Sequence, residues 1–154
     1  MTKTKRNARG VALLELAMVL PFLLLLSMAS IELGRAYYTY HILTKALRDG
    51  ARYGASSRMR AVDGTFPTGE SPSLYHRTTY MVMYGNPLPT GSVILPNLSI
   101  SHITVTPSRV SSSEYYVAVS ADYPYQPMFS LILPTTIMMR PSVKMLFVGQ
   151  MIFT

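Results

Sequence analysis

The chain has no cysteine and no tryptophan, and only seven of its 154 residues are acidic. Without cysteine there is no disulfide, no thiolate nucleophile and no thiolate-held metal. That absence leaves the compartment open, because a core of this size can stand without covalent staples. Acid–base chemistry is equally short of material. His41, His76 and His102 are isolated from one another and from any carboxylate at a ligand-like spacing. The five acids beyond Glu32 are scattered. The G-x-S-x-G, H-E-x-x-H and phosphate-loop signatures are all missing. The expectation is a non-enzyme with no cofactor, no metal and no small-molecule ligand.

What the chain has in quantity is apolar sequence. Hydrophobic residues make up 49% and charged residues 14%, which is apolar for a soluble domain of this length. The excess is concentrated from Val11 to Ile31, where Glu15, Ser27 and Ser30 are the strongly polar residues. Twenty-one residues of helix rise roughly 31 Å, the thickness of a bilayer core. Lys3, Lys5, Arg6 and Arg9 precede this run with no acid among them. A basic cluster beside a span holds that end in the cytoplasm and sends the remainder across. The rest of the chain is nearly balanced, with ten basic and seven acidic residues. The net charge of +7 therefore reports topology first, and no nucleic acid is expected. A DNA-handling reading, resting on Arg52, Arg58, Arg60 and Arg77, stays open as an alternative.

Two readings of the N-terminus compete. In a secretory signal peptide, Leu16 to Leu26 is the apolar stretch, and Ser27-Met28-Ala29 supplies the small residues before a cut. Against this, the polar start is long, Glu15 lies near the front of the apolar run, and apolar character persists to Ile31. The other reading starts from "ARGVALLEL". A glycine follows a basic leader, an apolar run begins immediately, and a glutamate stands at the fifth residue past the glycine. Pro21 removes one backbone donor and crowds the carbonyl of Ala17, so a kink is expected there.

A charge at bilayer depth costs about 2.5–3.5 kcal/mol on insertion scales, and it normally faces a partner. The stretch "ARGVALLEL" resembles the processing site of type IV-pilin-like precursors. That resemblance implies a cut between Gly10 and Val11, which would create a partner: a new α-amino group about one helical turn from Glu15. That amine could pair within its own chain or with the glutamate of a neighbouring copy. At low dielectric, a well-placed pair is strong and a misplaced one costly, so such a pair would select axial register. The plain alternative is a hydrated or protonated Glu15 close to the interface with no partner.

Beyond the apolar run, Ala36, Tyr40, Leu43, Leu47, Ala51 and Gly54 follow a three-or-four spacing, the stripe of a helix continuing out of the membrane. Gly34, Gly50 and Gly54 weaken that helix by about 1 kcal/mol each relative to alanine. Their reading is close packing, or a helix end near Gly54. Tyr37, Tyr38 and Tyr40 suit either the membrane–water interface or packing on the head.

Together, "ARGVALLEL", "IELGRAYYTY" and "ALRDGARYGA" resemble the TadE-like family of minor pseudopilins of tight-adherence (Flp-type) pilus systems. The matching residues are Gly10 and Glu15, then Glu32, Gly34 and Arg35, then Arg48, Gly50, Ala51, Arg52 and Tyr53. The segment "VAVSADYPYQPMF" (Val117 to Phe129) is similar to the strand-then-proline region of that family. One departure is Leu16, where such processing sites usually carry phenylalanine or tyrosine. The resemblance implies cleavage after Gly10 by a prepilin peptidase, with Glu15 serving peptidase recognition and subunit register. It implies an inner-membrane protein with a periplasmic head, whose partners are other pilins or pseudopilins and the assembly platform. An uncleaved, membrane-anchored periplasmic adaptor is the other alternative.

The remaining chain reads as a small α+β head. Helix is expected over Leu74 to Tyr84, capped by Ser71 or Ser73. "DGTFPTGESPS" and "YGNPLP" are turn-rich loops. "YYVAVSADY" alternates, with Tyr115, Val117, Val119, Ala121 and Tyr123 on one face. "LSISHITVT" (Leu98 to Thr106) is its expected neighbour through "PSRVSSSE". A third strand in "SVKMLFVGQMIF" puts Val143, Met145 and Phe147 on one face, with Met138, Met139 and Met145 as core or edge filler. The expected organisation is a leader (1–10), a transmembrane helix (11–33), a helix extension (34–57) and a head (58–154). The fold class is α+β and type IV-pilin-like: a long helix whose outer part packs on a small antiparallel sheet.

Overall fold

Residues Lys3–Ala55 form one α-helix, α1, of 53 residues, about 80 Å long at 1.5 Å per residue. The computed structural model describes residues 3–60, 73–109, 114–129 and 136–152. The helix continues without interruption through Pro21. Its two parts live in different surroundings. From Val11 to Leu26 every large apolar side chain is exposed, whereas Leu43, Leu47 and Ala51 are completely buried. The same helix is therefore an unclad apolar rod at one end and a core element at the other. The apolar part is long enough to cross a bilayer.

The buried end follows the expected stripe with two adjustments. Leu43, Leu47, Ala51 and Gly54 are buried as the spacing requires, and Ala46, Gly50 and Ala55 join them. Tyr40 is 44% exposed and belongs with Tyr37 and Tyr38, at 66% and 67%. These three tyrosines do not pack into the head. Helix α2 (Leu74–Tyr84) crosses α1 at its glycines. Ser73 is the N-cap, its side chain accepting from the His76 N–H, and Gly85 closes the helix in the left-handed conformation, which glycine adopts without a Cβ penalty. A Cβ on Gly50 would collide with Val82 and stand 3.3 Å from the Thr78 carbonyl oxygen. Gly50 is thus glycine because the Val82 side chain of α2 fills the space a Cβ would need, with the Thr78 carbonyl close beside it.

Strands β2 (Ile103–Arg109), β3 (Tyr115–Ala121) and β6 (Ser142–Leu146) form an antiparallel sheet in the order β2-β3-β6. In β3, buried and half-buried residues alternate, and Val117 and Val119 are fully enclosed against α1. Phe147 continues the inward face of β6, its N–H donating to the Tyr115 carbonyl at 2.8 Å. The strand expected from Leu98 begins only at Ile103. Residues Ile100–His102 form a 3-10 turn instead, with the Ser99 N–H donating to the His102 ring. The strand then runs through Pro107, which is tolerated because β2 lies at the sheet edge.

Two smaller pairings were not expected from the sequence. Strands β1 (Arg58–Arg60) and β7 (Gln150–Ile152) pair in parallel. The short strands β4 (Tyr123–Tyr125) and β5 (Ile137–Met139) pair antiparallel. Ser71, most of "DGTFPTGESPS", the middle of "PSRVSSSE" and Pro134 lie outside the described residues. The observed class is the expected one: α+β, with a long N-terminal helix, one short helix and small sheets.

Candidate functional site

The alternation that buries Tyr115, Val117, Val119 and Ala121 does not stop at the end of β3. It resumes in β4, where Tyr123 and Tyr125 are buried on either side of Pro124. Tyr123 donates its hydroxyl to the Pro96 carbonyl at 2.8 Å. Tyr125 is carried one step farther, onto α1, where its hydroxyl donates to the Glu32 carboxylate. The Met128 N–H donates to the same carboxylate at 3.0 Å, and the Arg35 guanidinium stands 3.4 Å away, one helical turn along.

Glu32 immediately follows the apolar run, yet its side chain is only 2% exposed. A buried carboxylate without partners would carry a penalty of several kcal/mol. Here a hydroxyl, a backbone amide and a guanidinium supply the donors. The acid is a staple: it ties the loop after β4 to the point where α1 leaves its apolar half. Burial, reinforced by the Glu32 hydrogen bond and charge, pushes the Tyr125 hydroxyl up to about 12. Burial alone raises Tyr123.

Beside the staple is an apolar cavity of about 320 Å³, lined by Met28, Ala29, Leu33, Ala36, Phe129 and Ile137 along with Glu32 and Tyr125. Its walls come from both the helix and the head.

The other residues singled out from sequence are distributed along α1. Gly10, Val11 and Glu15 are exposed on the helix, with no atom within 4 Å of a Cβ built on Gly10. Lys3, Lys5, Arg6 and Arg9 lie on the first turns of α1, and their side chains are outside the described residues. Gly34 is exposed and has open space around it, unlike Gly50. Arg48 and Arg52 are exposed and do not join the Glu32 cluster. Of the arginines in the DNA-handling reading, Arg52 is exposed and Arg77 half-buried with its Nε enclosed. The side chains of Arg58 and Arg60 lie outside the described residues. Among the described residues no three His, Asp or Glu side chains cluster to hold a metal.

Sequence reasoning singled out Glu32 and Arg35 but missed Tyr125 and Met128. The available signal was the β3 alternation, which extends by one more tyrosine past Tyr123. Neither a curated protein nor a solved structure matches the chain. A family model described as TadE-like protein matches residues 10–52, from the glycine behind the basic N-terminal residues to the arginine in the last turn of α1. That segment, which holds Gly10, Glu15, Glu32 and Arg35, is similar to the TadE-like family.

Proposed function

We propose that the chain is a minor pseudopilin of a Tad (Flp-type) pilus system. It is inserted in the inner membrane with its basic leader in the cytoplasm and its head in the periplasm. A prepilin peptidase cuts between Gly10 and Val11. The observation that carries this reading is the similarity of residues 10–52 to the TadE-like family, a segment that takes in Gly10, Glu15, Glu32 and Arg35. The exposed helix around Gly10 supports access by a protease, and the unclad side chains from Val11 to Leu26 offer a surface for neighbouring subunit helices. Glu15 pairs with the amine that cleavage creates and so sets the register between subunits. The head then caps or flanks the assembly.

The test is Glu15→Ala in a piliated cell. Chains that are still cleaved should fail to assemble, and pili should be lost because the register pair is gone. Normal piliation in that variant contradicts the pairing role. Unaltered function of an uncleavable Gly10 variant contradicts the pseudopilin reading and favours a tethered adaptor.

A further inference from the structure

The staple fixes how far the head stands from the membrane. Glu32 is one residue beyond Ile31, about 1.5 Å along the helix. The headgroup zones on either side of a roughly 30 Å hydrocarbon core bring a bilayer to about 40–45 Å. Each zone therefore takes up about three to five residues of helix rise. The stretch from Glu32 to Ala36 lies within it. Met128 is hydrogen-bonded to Glu32, so the loop that carries Met128 is held at headgroup level.

The side chains at that level suit such a place. Met128 is 67% exposed. The cavity beside it takes part of its wall from Met28 and Ala29, which belong to the spanning run. Arg35 keeps 42% of its side chain exposed while bonded to Glu32, leaving donors free for a lipid phosphate. Tyr37 and Tyr38, one turn on, are exposed in the manner of an interfacial aromatic belt. Apolar surface, a cation and tyrosines succeed one another in the order in which a leaflet presents acyl chain, phosphate and water.

We infer that the head is not suspended clear of the bilayer but rests on it: the Met128–Phe129 loop inserts into the leaflet on the head's side. Acyl chains meet Met128 and the adjoining cavity, and Arg35 meets the phosphates. The occupant is lipid, and the contact is continuous with the surface of the spanning helix. This inference rests on the reading of Val11–Ile31 as a membrane span.

The absence of tryptophan makes the test clean, since one introduced tryptophan is a unique reporter. Three full-length variants, Leu23→Trp, Met128→Trp and Val148→Trp, are placed in vesicles of phosphatidylglycerol and phosphatidylcholine. Some vesicles carry bromine on the acyl chains to quench tryptophan at that depth. Val148 is 76% exposed and its N–H is bonded to the Ala55 carbonyl, about 35 Å along the helix from Glu32. Leu23→Trp and Met128→Trp should both be blue-shifted and quenched by bromolipid, and Val148→Trp neither. Quenching of Leu23→Trp without quenching of Met128→Trp overturns the inference and spares the span. A blue-shifted but unquenched Met128→Trp means that protein covers the loop, and also overturns it. Loss of quenching at Leu23 overturns the span and the inference together. A Met128→Cys variant, unique in this cysteine-free chain, gives a second readout: a water-soluble maleimide should label it far more slowly in vesicles than in denaturant, and equal rates count against the loop's insertion.

Discussion

Tyr125 donates its hydroxyl to the Glu32 carboxylate across 93 residues of sequence. This bond, with the Met128 N–H beside it, joins the head's irregular loop to the helix at the boundary of the apolar run. The large apolar side chains from Val11 to Leu26 are exposed, while Leu43, Leu47 and Ala51 are core. The staple lies where one regime gives way to the other.

Removing the acid should release the loop. Glu32→Ala leaves the Met128 N–H and the Tyr125 hydroxyl without their acceptor, at about 1–3 kcal/mol for the buried Tyr125 hydroxyl left unpaired. Hydrogen exchange at the Met128 amide should accelerate strongly, while exchange in β3 changes little. Tyr125→Phe should give a smaller acceleration, since the Met128 bond survives. Unchanged protection at Met128 in Glu32→Ala contradicts the staple.

The same bond sets an alkaline limit. The Tyr125 hydroxyl is raised from its ordinary value of 10 to about 12 in the fold. A group raised by folding contributes stability that is complete below its unfolded value and is lost as pH climbs through its folded one. The stability margin of the parent over Tyr125→Phe should hold up to about pH 10 and disappear towards pH 12. Tyr123 is raised in the same direction, but it is present in both proteins and cancels. A margin that stays constant across this window, followed by far-ultraviolet circular dichroism, contradicts the assignment.

The two glycines on α1 should behave oppositely. Gly50→Leu drives a side chain into Val82 and the Thr78 backbone, and overpacking of that kind costs about 1–3 kcal/mol. Gly34→Ala meets nothing within 4 Å and gains up to about 1 kcal/mol of helix propensity. Thermal unfolding of the head in a single detergent should fall for the first variant and stay level or rise for the second. The reverse order contradicts the crossing of α1 and α2 at Gly50.

Periodicity made much of this architecture legible in the sequence. A 21-residue apolar run, a three-or-four stripe and a two-residue alternation each state a local rule, and α1, α2, β3 and β6 obey them. The serine before Leu74 announced its helix because capping is local chemistry. The β1–β7 and β4–β5 pairs obey no local rule. Each is three residues long and owes its pairing to distant chain brought alongside. The Ser99–His102 turn displaced the start of β2 because a histidine ring nitrogen accepted a backbone N–H that a strand would have used otherwise. The staple was half legible. Glu32 and Arg35 belong to one recognisable motif, but nothing near them in sequence points to Tyr125.

Intact-mass analysis of the protein extracted from membranes of cells that assemble pili tests the central claim most directly. The account predicts a mature chain beginning at Val11. A chain that retains Met1 to Gly10, or one that begins at Ser30, contradicts it.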